Sequence, residues 1–224
     1  MHKQHILAIV FFIAALALTG QAAAAPDAVA ALEKKVRSYT SFKADFVQTL
    51  THRQSGTTET RQGSIIFRKP DSLRWETVHP SRELIVVTDS AVWNYIPDEE
   101  VAYKYPLDIL KDSDTIMRFI TGRTNLDSDF EIEVEEEQGS TRIHLYPYHP
   151  QQTLTEAVLW VDTQSGELKK VAVTDFYGNE NMLEFSDMQF DIESGTDSFR
   201  FSPPAGTDIE DRTSDKVMEK KLFQ

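Results

Sequence analysis

Phe130-Glu131-Ile132-Glu133-Val134-Glu135 alternates apolar and acidic residues without a break. A period of two puts every apolar side chain on one face of a strand and every glutamate on the other. A helix would spread the two kinds around its circumference. The segment is therefore predicted to be a half-buried strand. The five glutamates of residues 131–137 read as a solvated face running into the turn Gln138-Gly139-Ser140. Calcium binding would need a loop glycine and a ladder of oxygen ligands, and neither is present here.

The same alternation extends in both directions. Before this segment, residues 46–50, 63–68, 73–78, 83–88, 91–96 and 101–105 read as strands, with Gln54-Ser55-Gly56 and Pro97-Asp98-Glu99-Glu100 as turns. After it come 141–146, 157–161, 168–176 and 182–190, and a last short strand at 199–201. Two segments keep a helical period instead. Residues 27–38 place Ala28, Ala31, Leu32 and Val36 on one face, with Asp27 as a cap. A helical island follows Asp112 or Ser113, carries Ile116, Met117, Phe119 and Ile120, and stops at Gly122. Asp108 and Asp114 read as turn and capping residues, and from Asp211 the charged tail reads as a frayed helix. About ten or eleven strands with two or three helices predict a mainly β (α+β) chain. Its form is an antiparallel barrel or strongly curved sheet with helices on one side. No repeat and no linker-like stretch divides it, so residues 25–224 read as one domain.

The chain has 224 residues, a net charge of −13 and no cysteine. That length can bury a core without metal or disulfide staples. The acidic balance opposes nucleic-acid binding, which needs a basic face. Zero cysteine removes thiol catalysis, thiolate metal sites, disulfides and cysteine-linked lipid. Residues 1–24 read as a signal peptide: Lys3 opens it, residues 6–18 form an unbroken apolar run, and Ala22 to Ala25 offer the cleavage site. The run is shorter than the roughly 20 residues of a membrane span. Cleavage after Ala24 removes Lys3 and no acid, taking the net charge to −14. The mature chain is expected to be soluble and exported.

Catalytic signatures are missing from the sequence. His52, His79, His144 and His149 fit no metal-ligand spacing, and there is no nucleophile elbow or phosphate-cradling glycine loop. No catalytic, metal or cofactor residue is assigned. The apolar parity is more informative. Ile65 and Phe67 share a face with Lys69, while Ile66 and Arg68 share the other. Leu73 and Trp75 share a parity, as do Trp93 with Tyr95 and Val158 with Trp160. In a curled sheet one parity converges on the concave side, which is either packed solid or open to a ligand; alternation does not distinguish them. Lys69, a cation at the rim of such an interior, needs a partner or a route to water.

Several stretches, taken in order, resemble the family of periplasmic outer-membrane lipoprotein carriers, LolA. They are Ser41-Phe42-Lys43-Ala44-Asp45-Phe46-Val47-Gln48; Gly63 to Trp75 around Arg68-Lys69-Pro70-Asp71; Pro80; Ile85-Val86-Val87-Thr88-Asp89; Val92-Trp93-Asn94-Tyr95-Ile96-Pro97-Asp98; and Phe199-Arg200-Phe201-Ser202-Pro203-Pro204 through Asp208. The resemblance implies an incomplete antiparallel β-barrel of about eleven strands with a helical lid. It implies a monomeric chaperone rather than an enzyme. Such a chaperone receives triacylated lipoproteins from an inner-membrane ABC transporter and delivers them to an outer-membrane acceptor, LolB or an equivalent. LolB is itself a lipoprotein with an anchoring cysteine, a role this chain cannot fill. The family's gating arginine falls on Lys69, with Arg68 beside it; lysine keeps the charge and loses the planar fork. Parity and resemblance together assign acyl-chain binding to Phe42, Phe46, Ile65, Phe67, Leu73, Trp75, Val86, Trp93, Ile116, Met117 and Ile120, with the last three on the lid. Trp75→Glu or Leu73→Glu is expected to leave a folded chain that fails in transfer. The alternative on the same scaffold is a periplasmic carrier or sensor of another lipid or hydrophobic molecule.

Overall fold

The computed structural model describes residues 25–110, 116–193 and 195–214. Helix α1 (Ala25–Ser38) leads directly into β1 (Ser41–His52), a long strand whose buried residues alternate: Phe42, Ala44, Phe46, Gln48 and Leu50. Hairpins then add β2 (Thr57–Arg68), β3 (Ser72–His79), β4 (Glu83–Val87), β5 (Val92–Ile96) and β6 (Val101–Tyr105) on one side of β1. On its other side lie β11 (Glu180–Phe190), β10 (Leu168–Thr174), β9 (Glu156–Asp162), β8 (Ser140–Pro147) and β7 (Phe130–Glu137). The first strand is thus central, and the β1–β11 pairing, with Phe46 opposite Phe185, joins the two halves.

A twelfth strand, β12 (Asp208–Asp211), pairs with β6 in parallel; every other pairing is antiparallel. The sheet is open, with edges at β12 and β7. The β7 edge turns Glu131, Glu133 and Glu135 outward, a row of charge that discourages another strand from adding on.

This order places the covering segments. The chain leaves β6 near one edge and must re-enter at β7, the opposite edge, so its connection has to cross a face. It crosses the concave one, carrying α2 (Met117–Ile120) and α3 (Leu126–Asp129). Ile116, Met117, Phe119, Ile120 and Leu126 join one buried cluster with the inward residues of the sheet, and α1 contributes Ala28, Val29 and Leu32 to it. Near the middle, Gly63 is packed too closely for any side chain: a Cβ there would meet the Glu76 carbonyl oxygen and lie 2.8 Å from Phe46 Cζ. That close approach lets β2 bend across Phe46.

Two expectations are corrected. Residues 199–201 do not form a strand: a 3-10 turn (Thr196–Phe199) precedes irregular chain, and the last strand lies later, at β12. Phe199 and Phe201 pack on the convex face instead of pairing, with Arg68 stacked over Phe199 and Phe201 against Trp93 and Tyr95. The short α3, capped by the Asn125 side chain accepting from the Ser128 N–H, is absent from the sequence expectation. The signal segment and the Asp112, Ser113 and Asp114 capping positions lie outside the described residues, as does the tail beyond residue 214.

The covered concave face as a candidate site

The concave face is built by strand parity. Phe42, Phe46, Ile65, Phe67, Leu73 and Trp75 all point inward, each at most 3% exposed, and join one cluster with Ile116, Met117 and Ile120 beneath the cover. The Phe46 and Trp75 rings pack at a tilt with centroids 4.5 Å apart, and those of Phe42 and Phe67 at 5.6 Å. Nine of the eleven residues assigned from sequence are therefore brought together.

Val86 and Trp93 are not among them. They pair with each other across β4 and β5, and their parity is opposite to Ile85, Val87 and Val92, which enter the interior. The Trp93 ring lies on the convex face with Lys104 over it and Phe201 beside it. Alternation fixes which residues share a face but not which face curves inward, and residue bulk is a misleading guide to that choice.

Among the described residues, the inward side chains beneath the cover are buried against one another in one cluster. Two clefts walled by described residues flank α1: one of about 20 Å³ toward Phe185, Met188 and Phe190, the other of about 60 Å³ toward α2 and α3. Pockets that enclose small ligands run to roughly 300–1,000 Å³. Apolar walls left apart in water would forfeit about 25 cal/mol for each Å² exposed, so they close on themselves. Neither cleft admits a long apolar guest unless α1 or α2 moves.

The cover is held at a few polar points. Lys69 Nζ donates to the carbonyls of Val36 (2.6 Å) and Tyr39 (2.7 Å), where α1 ends and its last carbonyls lack helical partners. Its ammonium also sits 4.8 Å from the Tyr39 ring centroid. Loss of solvent lowers the Lys69 pKa, opposed by Asp191; burial pushes the Tyr39 phenol up to about 12. The expected gate residue thus fastens α1, whereas Arg68 faces the opposite side of the sheet. The α2 side is tied by Arg123, which donates to the Pro70 carbonyl (3.4 Å) and pairs with Asp71. Gly122, at φ +70°, presses against Val36 of α1. Sequence reasoning assigns the lid to the island alone and misses Leu32, Val36 and Tyr39, although the helical period of 27–38 marks the first two as an apolar face.

The corner after α1 is also clamped by acid. Asp191 accepts from the Thr40 N–H (2.8 Å) and hydroxyl (3.1 Å), and the Thr40 N–H, chief among these donors, holds its carboxyl below the usual range. Ser165 does the same for Asp162, and Thr213, with Lys104, brings Asp211 to about 2. A carboxylate with a depressed folded pKa contributes stability above its unfolded pKa, near 3.9, and loses it as pH falls through the folded value. Stability is therefore expected to fall from about pH 4 to about pH 2. Asp191→Asn should flatten that fall and lower stability at neutral pH, measured as the urea midpoint against pH; an unchanged profile would remove Asp191 from the account.

Among the described residues no group of three or more His, Cys, Asp or Glu is placed to hold a metal ion. Among the described residues, three buried side-chain atoms lack a hydrogen-bond partner: Asn94 Oδ1, Thr124 Oγ1 and Arg142 Nε.

The sequence matches the family described as "Outer membrane lipoprotein carrier protein LolA" over residues 37–202. An outer-membrane lipoprotein carrier protein of Methylibium petroleiphilum is 29% identical over 199 residues, 88% of this chain and 96% of that one. The protein of the same name from Nitrosomonas europaea is 27% identical over 184 residues, 82% and 88% of the two chains. The crystal structure of an uncharacterized conserved protein from Thermus thermophilus aligns with a TM-score of 0.54 at 14% identity, over 84% of this chain and 99% of that one, which is a likeness of fold.

Proposed function

Starting from a chain that belongs to the LolA family of outer membrane lipoprotein carrier proteins, we propose that it carries triacylated lipoproteins across the periplasm, with residues 1–24 as its export signal. It takes them from an inner-membrane ABC transporter and yields them to an outer-membrane acceptor, LolB or an equivalent. It works as a monomer and breaks no bond. The observation that carries this reading is the apolar concave face lying under two separate covers, α1 and α2, each fastened by a few polar contacts.

The physics suits the task. Each methylene exposed to water costs about 0.8 kcal/mol, so bare acyl chains do not leave a membrane unaided. A guest that replaces the chain's own side chains beneath the cover exchanges one apolar contact for another. Net affinity is then a small difference between large terms, which permits release as well as capture.

The test is release from spheroplasts. The mature protein, added in excess to spheroplasts with labelled lipoproteins, is expected to bring them into the soluble fraction as a one-to-one complex. Soluble fractions without lipoprotein would overturn the proposal, and a different acyl species identified by mass spectrometry in the purified protein would redirect it to another lipid.

A further inference from the structure

We infer that the end of the sheet carrying Phe176 and Tyr177 is a docking tip for a phospholipid bilayer, entering it at headgroup depth. This interaction goes beyond the carrier reading and is tested without any lipoprotein, so either can fail alone.

Three connections close the sheet at this end: residues 53–56 between β1 and β2, 148–155 between β8 and β9, and 175–179 between β10 and β11. They are tied to one another. The Arg53 N–H donates to Asn179 Oδ1 (3.0 Å), the Phe176 N–H to the Gln152 carbonyl (3.0 Å), and Gln152 Nε2 to the Tyr177 hydroxyl (3.0 Å). Inside the third turn, Asp175 Oδ1 accepts from the Tyr177 and Asn179 N–H groups and Oδ2 from Asn179 Nδ2, all at 2.8 Å. A turn fixed in this way holds its aromatic rings out instead of folding them back. Phe176 is 71% exposed, Tyr177 64% and, in the second connection, Tyr148 57%. With Val78 at the same end of β3, they are four of the six exposed large apolar side chains among the described residues. The exposure is therefore gathered at one end and not scattered singly over the surface.

The chemistry of the tip selects a bilayer. The Phe176 and Tyr177 rings meet edge to face with centroids 5.6 Å apart. Neither lines a cleft beside α1, and together they form a wedge. A bilayer yields to a wedge, whereas a protein partner needs a socket shaped to it. One ring is wholly apolar, and the other ends in a hydroxyl already bonded to Gln152. An apolar body with a satisfied polar end settles at the membrane–water interface. Charge agrees. The chain carries −13 overall, a sign that opposes approach to an anionic surface, yet these three connections hold one carboxylate, Asp175, whose two oxygens are occupied by its own turn. Arg53, exposed beside that turn, is the charge left to meet lipid phosphates. The tip lies beyond the Thr57 end of β2, and Lys69 follows the other end, so docking here leaves the fastening of α1 clear of the bilayer.

The test uses the mature protein and protein-free vesicles of phosphatidylethanolamine with a minor share of phosphatidylglycerol, read by flotation. Wild type should float with the vesicles. A Phe176→Ser, Tyr177→Ser double variant, altered only at exposed positions, should bind about a hundredfold more weakly, roughly tenfold for the half-burial of each ring. The chain has no cysteine, so Phe176→Cys and Ser90→Cys each accept one environment-sensitive dye, at opposite ends of the sheet. Vesicles should shift the emission to the blue at residue 176 and leave it unchanged at residue 90. Failure of wild type to float, undiminished binding by the double variant, or equal shifts at both positions would overturn the inference. Flotation only with vesicles that carry membrane protein would also overturn it and assign the tip to a protein partner.

Discussion

A Val36→Cys, Gly122→Cys double variant is expected to fold, to close a disulfide under mild oxidation, and to lose lipoprotein uptake until it is reduced. A Cβ built on Gly122 lies 3.6 Å from Val36 Cβ, within the roughly 3.5–4.5 Å spacing of disulfide-linked Cβ atoms. The obstacle at that site is Val36 Cγ1, which the cysteine substitution removes. A non-glycine residue at φ +70° costs about 1–2 kcal/mol. A cross-link closing a loop of this length offsets that by about 4.6 kcal/mol through the unfolded state. The chain has no other cysteine, so no competing pair can form. The bond would join α1 to the end of α2, the two covers that any acyl chain must part. Uptake should fall from stoichiometric to background on oxidation, scored by release from spheroplasts, and recover with reductant. Undiminished uptake by a variant shown by mass to be fully oxidised would mean that the covers do not separate.

Much of this architecture is legible in the residue pattern, and the losses have physical causes. Alternation in Phe130–Glu137 locates a strand, because one face of it meets the core and the other meets water. It also puts Ile65, Phe67 and Lys69 on one side, and the structure has all three at the covered face. Parity is blind to curvature, however, so it sends Trp93 and Val86 inward where the structure has Val92 and Ile85. Helix period marks α1 correctly but not its purpose, since an apolar stripe looks the same on a fixed helix and on a cover. The pairing of β12 with β6 has no local signal, its four residues being exposed and acidic at three positions. Whether an interior is open is a matter of shape, which alternation does not carry; nine of the side chains expected to line it are buried in one cluster. One consequence is direct. Leu73 and Trp75 are 2% and 3% exposed inside that packing, so a glutamate at either has no water to reach and should unfold the chain rather than leave a folded, inactive one.

The second large effect is expected at Lys69. Lys69→Leu keeps an apolar stem but removes both bonds to the end of α1, leaving the Val36 and Tyr39 carbonyls to find water or open. Hydrogen bonds to a charged donor are worth about 1.5–3 kcal/mol when well formed. The site is partly exposed and the ammonium is desolvated there, so about 2 kcal/mol for the pair is the reasonable figure. For a chain of this size that lowers the melting temperature by about 4–8 °C. The more telling readout is local. If the bonds fasten α1 alone, its opening equilibrium rises by about thirtyfold for 2 kcal/mol. Amide exchange should then quicken by that factor in α1 while the central pair β1 and β11 keeps its protection. Lys69→Arg distinguishes charge from shape: a planar guanidinium has enough donors for two carbonyls but must approach them in its own plane, so it should recover most of the melting temperature if the corner adapts. Uniform acceleration across α1 and β1 would show that Lys69 supports the whole fold. Unchanged exchange in α1 would show that the helix is held by its apolar face, with no latch to release.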